Sequence, residues 1–318
     1  MPTPHEKPES PVYHSTHLTY GSYLKIPELL DLQKPRTTHR DELLFIVAHQ
    51  VYELWFKQLL HELTDVCRYL DEDKPLRAAQ LFERIYRIQH LLIEQIPMLE
   101  TMFSVEFAKF RDQLRPASGF QSVQFRTIEF LCGNKNAKML ALLGEDEAAK
   151  QAMAVYLKMP TPYDHFIRHL AREDDNIFKV PASALHRDTS LPHEVDPGLV
   201  GALEILYRIH DDAKKTGNSE RYYAQFRVAE CLLEFDEKFA IWRFHHVKMV
   251  ERMIGGGMGT GGSSGAKYLA STLQRNFFPD LWAVRDRLNG VTPDYGTSSS
   301  APAKSEGTGG GGCPMGHG

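Results

Sequence analysis

Between Asp41 and Leu70 apolar residues occupy most sides of a helical wheel: Leu43, Leu44, Phe45, Ile46, Val47, Val51, Leu54, Trp55, Phe56, Leu59 and Leu60. A helix that is apolar most of the way round belongs in the middle of a large core. Asp41 and Glu42 stand in its first turn, where carboxylates meet the positive end of the helix dipole. The same periodicity predicts a second long helix over Leu76–Leu99, ended near Pro97, and another over Ser104–Leu114. A further helix is expected over 118–133, with Ser118 at its start and Gly133 at its end. Shorter helices are expected at Ala137–Leu143, Glu147–Lys158 and Pro162–Arg172. Pro181, Pro192 and Pro197 make Asp174–Pro197 a loop. Leu199–Lys215 and Ser219–Met253 read as helices, then Ala266–Arg275 and Asp280–Leu288. Residues 18–33, LTYGSYLKIPELLDLQ, form a short ordered lead-in with a turn at Gly21. Runs of period two are nearly absent and no repeat of fixed period is visible, so the fold class is all-α.

The ends of the chain lack this patterning. Residues 1–17 are rich in Pro, His and Glu and are expected to be a disordered arm. Residues 292–318 are rich in Gly, Ser and Pro and are expected to be a disordered tail. That leaves 18–291 as a single helical domain. The whole chain has 318 residues, 42% hydrophobic and 25% charged, an ordinary globular balance. A net charge of −4 and a pI near 6.4 come with no basic stripe, which argues against nucleic acid as a partner. The apolar runs are too short to span a bilayer, and the polar N-terminus is not a secretory signal, so no membrane association is expected. Cys67, Cys132, Cys231 and Cys313 are scattered without a CxxC pair, which fits a reducing cytoplasm rather than a zinc knuckle or a disulfide framework.

The candidate chemistry concentrates in FAIWRFHHVKMVERMIGGGMGTGGSSG, residues 239–265. Phe239, Trp242, His246, Met249 and Met253 recur at helical spacing, so His246 shares the face of the aromatic and sulfur side chains, while His245 is turned about 100° away. A neutral imidazole on such a face can hold haem iron; spacing alone fits an ordinary hydrogen-bonded core histidine at least as well. His49 shares a face with Phe45, Tyr52 and Phe56, and the same two readings apply. Arg111 lies one turn after Phe107. It is either a clamp for a carboxylate or a surface arginine paired with Glu106 or Asp112. Ser118 is a helix cap, a ligand contact, or both. In the glycine-rich loop, Gly257, Gly259 and Gly262 match GxGxxG. The loop follows a helix rather than a strand, so a dinucleotide fingerprint is excluded. A loop carrying Thr260 that closes over a small polar ligand is the functional alternative to a plain connector. Cys313 and His317 sit in sequence that cannot hold a fixed metal geometry.

Taken together, LTYGSYL (18–24), ELLFIVAHQVYELWFKQLLHEL (42–63), FRDQLRPASGFQSVQFRTIEFLCGNKN (110–136), WRFHHVKMVERMIG (242–255) and GTGGSSG (259–265) resemble the tryptophan 2,3-dioxygenase family. These blocks span most of the chain from residue 18 to about 285. The resemblance implies a large helical bundle around one b-type haem per subunit, assembled as a homotetramer. It implies oxidative cleavage of the indole C2–C3 bond of L-tryptophan by O2 to N-formyl-L-kynurenine. By motif, His246 corresponds to the proximal iron ligand and His49 to the distal histidine. Phe45 corresponds to the aromatic packed on the indole, Arg111 to the carboxylate-binding arginine, aided by Thr260, and Ser118 to a distal-pocket serine. Phe107 and Leu114 fall with the substrate-binding residues, and Tyr20 and Tyr23 with tyrosines that reach a neighbouring subunit's pocket. The chain departs from the family at Gly257, where a lysine is usual, and at His245, where many members have arginine. Because related haem proteins mono-oxygenate aromatic amino acids, a mono-oxygenase acting on a substituted tryptophan or another aromatic amino acid is the alternative.

Overall fold

The computed structural model describes residues 17–144, 146–216, 222–255 and 269–291, and among them there is no strand. Thirteen α-helices are named here in chain order. The first seven are α1 (Tyr20–Leu24), α2 (Ile26–Leu30), α3 (Arg40–Asp71), α4 (Pro75–Glu94), α5 (Ile96–Glu100), α6 (Ser104–Arg111) and α7 (Val123–Leu131). The others are α8 (Glu147–Lys158), α9 (Pro162–Phe178), α10 (Ala182–Leu185), α11 (Pro197–Thr216), α12 (Tyr223–Ile254) and α13 (Pro279–Leu288). Short 3-10 helices cover Asp112–Leu114, Gly119–Gln121 and Ala137–Leu143.

The two longest helices, α3 and α12, have 32 residues each, about 48 Å of axis at 1.5 Å per residue. Helix α4 packs against both. Its contacts are fastened by side chains reaching backbone carbonyls. The Tyr52 hydroxyl donates to Leu92 O at 2.8 Å, Tyr86 to Cys231 O at 2.9 Å, and the Gln89 amide to Phe235 O at 2.9 Å. Such bonds satisfy polar atoms that would otherwise be buried at a cost, and they also set the register of the three helices. One continuous core runs from α3 to α13, with Phe82, Phe110, Phe166, Phe235 and Phe278 fully enclosed.

Helix α13 and the residues before it are tied to α12 through Asp236. One oxygen of this buried carboxylate accepts the backbone N–H groups of Phe277 (2.9 Å) and Phe278 (3.2 Å) and the indole N–H of Trp282 (3.0 Å). Three residues before His246, the Arg243 guanidinium donates to Arg275 O at 2.9 Å. The segment after the glycine loop is therefore held to the helix that precedes that loop.

The periodicity locates the long helices to within a few residues, but local chemistry changes several boundaries. The lead-in turns at Lys25, whose φ is 54°, while Gly21 lies buried inside α1. Pro97 does not end a helix. It stands in the first turn of α5, where its missing N–H costs nothing, and the break falls before it because its ring clashes with the carbonyl four residues back. The helix expected over 118–133 is divided. Ser118 caps the 3-10 helix Gly119–Gln121, and Ser122, in extended conformation, caps α7 by accepting Phe125 N–H. Ala137–Leu143 is 3-10 rather than α. Helix α9 continues to Phe178 through a kink at Asp174, and α10 interrupts the expected 174–197 loop. The arm 1–16, the glycine loop with Gly257 and Thr260, and the tail with Cys313 and His317 lie outside the described residues.

Candidate active site

Helices α3 and α12 each send one histidine to a shared cavity of about 280 Å³, whose wall is mostly apolar. His246 comes from α12 by the spacing noted in the sequence. Its ring lies parallel to that of Trp242, one turn earlier, with centroids 5.2 Å apart and planes 7° apart. Some of the His246 ring surface remains accessible, but it borders the cavity, and the group lies deep in the molecule. Burial, aided by the nearby His49 and Arg126, holds its pKa down at about 4. At neutral pH the imidazole is therefore uncharged and keeps one nitrogen lone pair for a ligand bond.

His49 comes from α3. Its Nδ1 lies 2.7 Å from the Phe45 carbonyl oxygen. A carbonyl can only accept, so Nδ1 carries the proton. In the neutral ring Nε2 is then an acceptor. His49 keeps accessible surface where it borders the cavity, but the protein atoms crowded round the ring desolvate it and lower its pKa, opposed by this bond and by the Glu53 carboxylate one turn on. The Phe45 ring stands 4.1 Å from the His49 ring, stacks on Phe107 at 5.6 Å and meets Phe110 edge-on at 5.9 Å. This aromatic wall is a suitable surface for a flat ring.

Arg111, at the end of α6, also lines the cavity, as do Ser118, Gly119 and Phe120. Ser118 is a cap, as one reading of the sequence had it, and it stands where a ligand contact is open to it. It borders the cavity, and its Oγ accepts Phe120 N–H at 3.3 Å, while its own N–H donates to the Gln121 side chain at 3.0 Å. Leu114 packs against the core without bordering the cavity. Tyr20 and Tyr23 project from α1 with 78% and 71% of their surface exposed, away from this chain's cavity.

The sequence assigned no role in a site to five other residues of the wall: Tyr52, Glu53, Arg126, Trp242 and Arg243. Glu53 and Trp242 had a signal, since each is one helical turn from a candidate histidine. Arg126 and Arg243 had none, because an arginine in an amphipathic helix is ordinarily a surface group. Here both are almost fully buried. Arg126 Nη1 contacts Glu129, but its Nε has no partner; Arg243 Nη2 likewise has none, nor has Trp242 Nε1. Unmet buried N–H groups are costly and mark where an acceptor belongs. A neutral imidazole, a largely apolar cavity and two guanidinium groups with N–H to spare fit a flat apolar macrocycle with carboxylates at its edge. That is the chemistry of haem, whose iron His246 would hold and whose acidic groups Arg126 and Arg243 would meet.

Fold and cavity together define an all-helical protein built around an imidazole-flanked, largely apolar pocket whose lining suits a flat ring system. The family model described as tryptophan 2,3-dioxygenase matches residues 4–149 and 214–288. The chain is 42% identical over 273 residues to the tryptophan 2,3-dioxygenase of Kineococcus radiotolerans, covering 85% of this chain and 91% of that one. It is 40% identical to that of Serratia proteamaculans, covering 86% and 94%, and 40% identical to that of Myxococcus xanthus, covering 87% and 92%. The chain belongs to the tryptophan 2,3-dioxygenase family.

Proposed function

We propose that this protein is a haem-dependent dioxygenase that cleaves the indole C2–C3 bond of L-tryptophan with O2, giving N-formyl-L-kynurenine. The observation that carries the reading is the pair His49 and His246. Two neutral imidazoles from different helices border one apolar cavity, one with a lone pair for iron and the other with its tautomer fixed. Bound haem supplies the activation of O2. His246 holds the iron, and Arg126 and Arg243 receive the haem carboxylates. His49 Nε2 accepts the indole N–H, and Phe45 packs on the indole ring. Arg111 pairs with the substrate carboxylate, with Thr260 closing over the amino-acid end and Ser118 and Phe107 completing the pocket, while Leu114 only backs it from the core. Orienting the indole against the oxygen lowers the barrier by several kcal/mol through proximity (about 7–11 at the upper end). Phe56, Phe125 and Met253 keep water out of the cavity.

Residues 18–291 act in this reading as one haem-binding domain, working in the cytoplasm as part of a homotetramer. The exposed tyrosines of α1 support assembly, since Tyr20 and Tyr23 are available to a neighbouring copy's pocket. The test is anaerobic reduction of the haem-loaded protein, followed by O2 and L-tryptophan. The near-UV band of N-formylkynurenine should rise with one O2 consumed per product. Oxygen uptake without that product, or no uptake at all, overturns the reading.

A further inference from the structure

Glu53 lies one helical turn after His49 on α3 and borders the cavity. Each oxygen of its carboxylate accepts a hydrogen bond from α7 or the residue that caps it. Oε1 accepts the Ser122 hydroxyl at 2.5 Å, and Oε2 accepts the Gln124 side-chain amide at 2.8 Å. The same amide also donates to the Glu53 backbone carbonyl at 2.8 Å. Ser122 uses its remaining capacity to accept Phe125 N–H at 3.2 Å, so one hydroxyl joins the cap of α7 to the carboxylate of α3. Ser122 directly follows the Gly119–Gln121 turn, and Gln121 in turn holds the backbone of Ser118. The carboxylate also sits at the N-terminal end of α7, where the helix dipole favours an anion.

The consequence is geometric. The wall that contains Ser118, Gly119 and Phe120 is otherwise built from 3-10 and extended backbone, which is poorly self-supporting. Its tie to the His49 helix runs through Glu53. We propose that Glu53 is a positioning residue for the reaction: its clamp on Ser122 and Gln124 sets the spacing between the His49 ring and the 118–122 wall across the substrate cavity. This rests on the dioxygenase reading for its link to turnover, whereas the clamp itself does not.

The test uses haem-loaded protein. Glu53→Gln keeps the size and the acceptor for Ser122 but turns an amide toward the Gln124 amide, so the clamp opens on one side. The expected result is a ten- to hundredfold fall in kcat/KM for L-tryptophan, the scale of a displacement of about 1 Å in a reacting geometry. Haem content should equal that of the parent. Hydrogen exchange should quicken in peptides covering 118–131 and stay unchanged in 239–253. Adding Gln124→Glu restores a donor–acceptor pair of reversed sense between the side chains but forfeits the bond to the Glu53 carbonyl, so it should recover a measurable part of both losses. Parent-like kinetics and exchange in the single variant overturn the proposal, as does a loss that the second substitution does not reduce at all. If Glu53→Gln does not fold, Gln124→Ala reports the same exchange pattern with a smaller kinetic loss, and no change there also refutes the clamp. A parent protein that forms no N-formylkynurenine refutes the dioxygenase reading alone, because the exchange comparison needs no substrate.

Discussion

At the residue scale the site depends on which nitrogen of each imidazole is free. His246 is kept neutral by burial, and this makes it an available ligand. His246→Ala should therefore lose haem outright, read as the ratio of Soret to protein absorbance; a fully loaded variant would show that the iron is held elsewhere. His49 donates through Nδ1 to Phe45 O, which leaves Nε2 for the substrate. His49→Ala should keep its haem and slow turnover, and unchanged oxygen binding and rate would remove His49 from the site. Arg111→Ala removes a charge-assisted pair with the substrate carboxylate, a contribution of about 1.5–3 kcal/mol. Its KM for L-tryptophan should rise about ten- to hundredfold, with little change in the affinity for indole compounds lacking a carboxylate. Equal effects on both ligands would refute the carboxylate role. Both histidines were visible in the sequence because helical spacing put them on apolar faces. The buried arginines were not, since nothing in a helical pattern distinguishes an arginine facing a cavity from one facing water.

At the element scale, caps and side-chain-to-backbone bonds decide where helices stop and what they touch. Lys135 shows the principle away from the cavity. Its ammonium is buried and donates to the carbonyls of Tyr156 and Met159, both at 2.8 Å, at the C-terminal end of α8. Burial pushes its pKa down to about 8, yet the cation meets the negative end of the helix and two otherwise open acceptors. Lys135→Met should cost about 1–3 kcal/mol in denaturant unfolding, the penalty for leaving buried acceptors unmet. The haem spectrum should not change, and a neutral effect on stability would mean that water replaces the ammonium. The boundaries that sequence reading missed share this cause. Ser118 and Ser122 were parts of one expected helix, but each hydroxyl caps a separate turn, and Ser122 does so while bound to Glu53 across 69 positions of chain. A capping hydroxyl is visible in a sequence, whereas its distant partner is not.

At the scale of the whole molecule, α13 closes the core and carries a buried acid, Asp280. It accepts Asp196 N–H at 2.7 Å and the Tyr163 hydroxyl at 3.1 Å. Burial raises its pKa to about 6 despite these bonds. The folded protein then holds a proton that the unfolded chain releases between about pH 4 and 6. The stability from this group is complete below the lower value and lost as pH rises through the upper one, by at most about 3 kcal/mol. Asp280→Asn should therefore gain melting temperature relative to the parent, by a few degrees, on going from pH 5 to pH 7. A difference that stays constant with pH would show that Asp280 ionises normally. Such an acid could not be found from the sequence, because DLWAVRDRL carries four acidic or basic positions of ordinary helical spacing before folding buries one. What the sequence determined alone was the all-helical class, the two long helices and the two histidines on their apolar faces, since periodicity is a local property of the chain. Only the tertiary structure decided that those faces border one cavity, that two arginines face inward with N–H groups unmet, and that Glu53 joins α3 to α7. Burial and hydrogen-bond partnership belong to pairs of segments far apart in sequence, and no single stretch of residues encodes them.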